Sequence, residues 1–410
     1  MKITFLLTWA DVMGGTERAV FTQAAQLAAA HDVGIVSVFK TAERPFFTIG
    51  PQITVRYLVD RSRGAERPVS PTGLSVAECA ALAGLPTEFS APAWERKIFT
   101  RLSDMELGLL LPAIDCDVLV TTTPALTSAA VHLTRPEVLT VHHEHRMAGV
   151  PPLPSAPLLD ALVTVNERSR AQFKEALGDA APLLATIPNS LPVALRPRST
   201  LTGRTVVIAG RLVAEKRVDH AIRAFAKASS EHPEWVLSVF GDGPERSGLQ
   251  ALARELGVSG SVRFHGSSPH MAQEWAKADL ALLTSRAESF GLVILEALAA
   301  GVPVVSYDCP NGPSEIIRDG VDGRLVPNGD VDAIAAVLAG LMGDRGALHA
   351  LGTHTIAGAQ RFSAERVTER WEALFAELEA RRGDFARRRH RAERMACRSA
   401  LDPSGAEARP

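Results

Sequence analysis

AESFGLVILEALAAGVPVVSYDCPNGPSEII, Ala287–Ile317, places Glu288 and Glu296 eight positions apart around an apolar segment. The run before it, LALLTS (Leu280–Ser285), is short and uncharged, which predicts a buried parallel strand. RAESFG is then the turn at the strand's carboxyl end, and LVILEALAA a helix stopped by Gly301 and Pro303. Ligands of open α/β sheets bind at this edge. Gly291 leaves the backbone bare at the helix start, where free N–H groups and the dipole favour a diphosphate. A carboxylate suits a sugar or ribose diol better than a phosphate. One carboxylate for a sugar, one for a ribose and phosphates between them describe a nucleotide-sugar. The plain alternative is a solvated Glu296 on an amphipathic helix. Its apolar neighbours Leu292, Ile294, Leu295, Leu298 and Ala299 oppose that.

Short apolar runs alternate with helical patterns along most of the chain, predicting an α/β fold of two doubly wound, Rossmann-like domains facing a cleft. The first covers 1–195, with strands at Lys2–Thr8, Val33–Phe39, Asp117–Thr123, Glu137–His142, Ala161–Asn166 and Leu183–Asn189. After the linker Arg196–Arg204, the second covers 204–363, with strands at Thr205–Gly210, Trp235–Gly241, Val262–Gly266, Leu280–Ser285 and Val302–Asp308. A hinge is expected near Asn189–Arg204. Residues 60–92, rich in Pro, Ser, Gly and Ala, predict a long loop or insertion with some mobility. A helix over 364–380 carries Val367, Trp371, Leu374 and Leu378 on one stripe and is expected to pack toward the first domain. Residues 381–410 form an arginine-rich tail, expected to be disordered. Its functional reading is contact with an anionic membrane or an anionic polymer.

A chain of 410 residues can bury two cores, and 22% charged with 46% apolar residues is the balance of a soluble globular protein. The net charge of -2 argues against a nucleic-acid partner. Four scattered cysteines suggest neither a disulfide framework nor a thiolate metal site, and they fit a reducing compartment. No run of about 18 apolar residues is available to span a bilayer. The opening MKITFLLTWADVMGG is interrupted by Asp11 and lacks a small-residue cleavage site, so it reads as a buried first strand. A cytoplasmic location is expected, with the tail able to reach the inner membrane face.

Three further motifs bear on chemistry. VVIAGRLVAEKRVDHAI sets Arg211 and Lys216 just past a strand, where two cations can neutralise a departing diphosphate. WADVMGGTERAV sets Gly14 and Gly15 before a helix; it is not GxGxxG, but it offers bare backbone donors. LTVHHEHRMAG gathers His142, His143, Glu144 and His145 without HExxH spacing, which disfavours zinc. The Asp115–Asp117 pair precedes its strand, at the wrong edge of the sheet for ligands, so no metal is expected there.

On GGTER, GRLVAEKR, FGDGPER, VRFHG and above all ESFGLVILEALAAG, residues 1–380 resemble a retaining glycosyltransferase of the GT-B fold, family 4. The continuation VSYDCPNGPSEII is similar to transferases that glycosylate teichoic-acid-type polymers. The resemblance implies a hexose donor linked to a nucleotide, uridine diphosphate by preference, and a hydroxyl acceptor on a wall polymer, lipid or glycan. It implies Arg211 and Lys216 on the diphosphate, Glu288 on the donor sugar and Glu296 on the ribose. Backbone N–H groups of Phe290, Gly291 and Leu292 would meet sugar and phosphate, with Gly14 and Gly15 on the diphosphate from the first domain. Asn189, Gly241 and His265 fall among the implied donor contacts. A histidine of the cluster would touch the donor sugar, His145 first and His142 next. Neither a cofactor nor a protein nucleophile is implied. A nucleotide-sugar epimerase and a non-catalytic sugar-nucleotide binder remain the alternatives.

Overall fold

In the computed structural model, described over residues 1–62, 64, 68–146, 153–191 and 197–384, the chain divides into two units, each with its own parallel sheet. The N-terminal unit comprises Met1–His145, Val150–Ile187 and Thr368–Pro410; the other holds Arg146–Gly149 and Pro188–Val367.

The first sheet has seven strands: β1 Lys2–Trp9, β2 Asp32–Lys40, β3 Thr54–Asp60, β4 Val118–Thr121, β5 Leu139–Glu144, β6 Ala161–Thr164 and β7 Leu183–Thr186. Their order is β3-β2-β1-β4-β5-β6-β7, so the winding reverses between β1 and β4. The second sheet has β8 Thr205–Ala209, β9 Val236–Phe240, β10 Val262–Gly266, β11 Leu280–Leu283, β12 Val304–Asp308 and β13 Gly323–Pro327. Its order is β10-β9-β8-β11-β12-β13, reversing between β8 and β11. Every pairing between these strands is parallel, with α-helices in most of the crossovers; the one from β2 to β3 has none among the described residues. Central strands such as β4 and β11 are buried at every position, which is why they read as unbroken apolar runs.

Residues 60–92 depart from the expected mobile loop. They carry the helix Val76–Ala83, opened by a Ser75–Glu78 capping box. Two buried carboxylates of the helix Arg101–Leu110 tie the segment down. Glu106 accepts from Ser70 and Thr72, and Asp104 from Thr87 Oγ1 and the Glu88 N–H. Polar anchors of this kind leave no apolar period to read.

The helix Ala364–Ala380 buries Val367, Trp371, Leu374, Phe375 and Leu378. From Thr368 onward it belongs to the N-terminal unit. Its Trp371 ring meets His143 edge-on at 5.3 Å between centroids, and Glu372 bonds His31 Nε2 at 2.7 Å. Of the tail expected from residue 381, Arg381 and Arg382 are described and pair with Glu377 and Glu379, while the arginines from Arg387 to Arg398 lie outside the described residues. Among the described residues, no helix is long and apolar enough to cross a membrane.

Candidate functional site

The reversal between β8 and β11 opens a crevice at the carboxyl edge of the second sheet, where doubly wound folds bind ligands. Two loops flank it, one after β8 (Gly210–Arg217) and one after β11 (Thr284–Gly291). They are stitched together. Thr284 Oγ1 donates to the Arg217 carbonyl at 2.8 Å, and the Arg286 N–H to the Glu215 carbonyl at 2.8 Å. Across the seam Lys216 Nζ reaches Glu288 Oε1 at 2.5 Å, and Ser285 Oγ donates to the same oxygen at 2.6 Å. The expected diphosphate cation and the expected sugar carboxylate are thus bonded to each other. Arg211, on the same loop as Lys216, is exposed.

Glycines shape the chain around this seam, beginning with the loop after β9. Gly241 has φ 126°, and a Cβ there would lie 1.8 Å from the Gly210 carbonyl oxygen, an approach only glycine permits. Gly291 takes φ 98° as the N-cap of the helix Leu292–Ala299, and a Cβ there would press on the buried Ile294 side chain at 2.9 Å, so both the turn and the packing ask for glycine. Phe290, beside it, is buried against Phe362.

Glu296 is buried, and its Oε2 accepts from the Trp275 indole N–H at 3.1 Å. It is no solvated helix residue, and a ribose contact there would share the carboxylate with an internal bond. His265 stacks on Phe240, with ring planes 12° apart and centroids 4.5 Å apart. Asn189 is buried with Oδ1 unpartnered among the described residues. The Cys309 thiol is no nucleophile in waiting. Burial first, then the Glu288 carboxylate, push it up to about 12.

In the first sheet, Gly14 caps the helix Gly15–Leu27 after β1, at that sheet's own reversal. A Cβ on Gly15 would meet no atom within 4 Å, so internal packing does not demand glycine there. Asp11, which interrupts the opening apolar run, is buried and accepts the N–H groups of Thr41 and Ala42. The Asp115 and Asp117 carboxylates bind Lys2 at 2.6 and 2.8 Å, at the start of β1 and β4 and away from the carboxyl edge.

The histidine cluster separates by strand alternation. His142 is wholly buried, with Nδ1 bonded to Thr127 Oγ1 at 2.7 Å and Nε2 to Glu144 Oε2 at 3.4 Å; its ring is engaged internally. The His143 and His145 rings lie 4.0 Å apart between centroids with planes tilted by 51°, and His145 Nε2 has no partner among the described residues. Burial, assisted by neighbouring histidines, keeps both rings neutral, His145 down to about 4 and His143 well below its ordinary range. Unfolded histidine titrates near 6.5, so between there and about 4 the unfolded chain binds protons that the folded unit refuses. This stability is complete above about pH 6.5 and is lost as pH falls. His145 alone accounts for about 3 kcal/mol. Thermal unfolding followed from pH 7 to 4.5 is expected to show a steady fall in Tm, flattened in His143→Phe. A parallel curve for the variant would discard this origin.

Sequence reading missed Thr284, Ser285 and Trp275, which position the charged pair and Glu296. The only signal was a Thr-Ser pair ending an apolar strand, common enough to pass unnoticed.

Residues 196–356 match the family model described as Glycosyl transferases group 1. The chain is 50% identical over 412 residues to an exopolysaccharide phosphotransferase of Streptomyces coelicolor, covering 99% of this chain and 44% of that one. It is 28% identical over 216 residues to a poly(glycerol-phosphate) alpha-glucosyltransferase of Bacillus subtilis, covering 52% of this chain and 32% of the relative. It therefore spans less than half the length of these curated relatives. A crystal structure of S. aureus TarM in complex with Fondaparinux, alpha-GlcNAc-glycerol and UDP superposes with a TM-score of 0.75. That match has 14% identity and covers 92% of this chain and all of the other. The two-Rossmann architecture is that of the GT-B fold.

Proposed function

We propose that this chain is a retaining hexosyltransferase that uses a nucleoside diphosphate sugar, by preference a uridine diphosphate sugar. The observation that carries the reading is the Lys216–Glu288 pair at the sheet reversal, beside the bare backbone at Gly291. Lys216 and Arg211 take the diphosphate, Glu288 the hexose, and Glu296, already bonded to Trp275, the ribose. The acceptor hydroxyl attacks the anomeric carbon on the leaving-group face, the bond from that carbon to the phosphate oxygen breaks, and the departing diphosphate takes the proton. The side chains then supply orientation and electrostatic stabilisation without a protein nucleophile. TarM's complex with UDP and a glycerol glycoside, and the relative that glucosylates poly(glycerol-phosphate), support a polyol-phosphate or glycan acceptor.

The name of the Streptomyces relative favours a second reading, transfer of a sugar phosphate to a polysaccharide. The two differ in the bond broken. Hexosyl transfer releases nucleoside diphosphate, whereas attack at the sugar-bearing phosphorus releases nucleoside monophosphate. The test is a panel of nucleotide-sugars, with and without EDTA, the nucleotide product being separated by chromatography. EDTA-resistant release of UDP from one donor is expected. UMP as sole product establishes the second reading, and binding without turnover, with acceptors present, establishes a non-catalytic binder.

A further inference from the structure

Asn311 lies in the turn between β12 and the short helix Pro313–Ile316. Its φ of 60° is in the left-handed region, which asparagine tolerates better than most residues. The side chain is 3% exposed, and neither Oδ1 nor Nδ2 has a hydrogen-bond partner among the described residues. Folded proteins rarely leave a buried amide unpaired at both ends, because each lost bond destabilises.

The turn is fastened to the Glu288 loop. The Glu288 N–H donates to the Pro310 carbonyl at 3.2 Å, and a Cβ on Gly312 would lie 2.2 Å from the Phe290 carbonyl oxygen. An unpaired donor and an unpaired acceptor therefore sit on one side chain, one residue from the contact to Glu288. A charged ligand group would need a charged partner; a vicinal diol needs one donor and one acceptor side by side, which an amide provides.

We propose that Asn311 reads two neighbouring hydroxyls of the donor hexose, one accepting from Nδ2 and the other donating to Oδ1. The inference rests on the nucleotide-sugar reading above and deepens it from a class of donor to a residue that selects the sugar. Glu288 couples the two. Its backbone N–H, bonded to the Pro310 carbonyl, ties the turn that carries Asn311 to the loop that carries the sugar carboxylate.

Asn311→Gly separates recognition from backbone geometry, because glycine keeps the left-handed turn and deletes only the amide. The wild type, this variant and Asn311→Asp are compared for UDP affinity and for kcat/KM with UDP-glucose, UDP-galactose and UDP-N-acetylglucosamine. The expected result for Asn311→Gly is UDP affinity within about twofold of wild type, with kcat/KM for the preferred hexose down about 10- to 100-fold. Its preference over the C4 epimer should shrink alongside. Unchanged donor preference in Asn311→Gly overturns the inference and leaves Asn311 as a turn residue. Loss of UDP affinity in step with turnover overturns it too, by assigning the effect to the loop. A wild type that turns over none of the donors overturns the glycosyl-transfer reading itself, and this inference with it.

Discussion

Glu288→Gln is expected to leave UDP affinity within about threefold of wild type while lowering nucleotide-sugar turnover by about 10²-fold or more. The substitution keeps the side chain's shape, and the uridine and phosphates lie beyond its reach in the proposed arrangement. What it removes is charge. Glu288 Oε1 takes both the Lys216 ammonium at 2.5 Å and the Ser285 hydroxyl at 2.6 Å, in a loop that buries the residue almost completely. A carboxylate so desolvated makes bonds to sugar hydroxyls that strengthen as positive charge develops at the anomeric centre, whereas a glutamine amide does not. Calorimetry with UDP and chromatographic product assay with the preferred donor check the two halves separately. Near-normal turnover would reduce Glu288 to a prop for Lys216.

The sequence was most legible where burial is symmetric. All five strands expected in the second domain, and all six in the first, are present within a few residues, because strands covered on both faces read as unbroken apolar runs. The two missed strands, β3 and β13, lie at sheet edges, each with two exposed positions and charged residues breaking the apolar run. Glu288, Lys216 and Gly291 were legible because two loops at one sheet reversal need charged and glycine residues in an otherwise apolar context. Trp275 on Glu296, Glu106 beneath Ser70 and the unpaired amide of Asn311 were not. Each depends on a contact between segments tens of residues apart or on a buried polar atom, and neither leaves a period. His142 carries an internal role that its motif did not announce. The resemblance implies it as a donor contact second to His145, and Thr127 and Glu144 bond its two ring nitrogens.

Lys216→Ala is expected to be the more damaging change, lowering turnover by about 10³-fold and UDP affinity by about 10-fold or more. Its ammonium is held across the loop seam by Glu288, with the Thr284 hydroxyl bonded to the adjoining carbonyls of Lys216 and Arg217. Arg211 is exposed and offers charge without that fixed placement. A diphosphate that gains charge as the glycosidic bond breaks therefore loses its best-positioned counter-charge in the variant. The ion pair itself contributes little to folding, since Lys216 keeps 27% of its side chain in water, so Tm should hardly move. The double variant with Glu288→Gln decides how the pair works. If Lys216 serves phosphate and Glu288 serves sugar, the two losses multiply, because the groups act on different parts of the donor. If each serves mainly to hold the other, the double variant is no worse than Lys216→Ala alone, and the pair is architecture for the seam between β8 and β11.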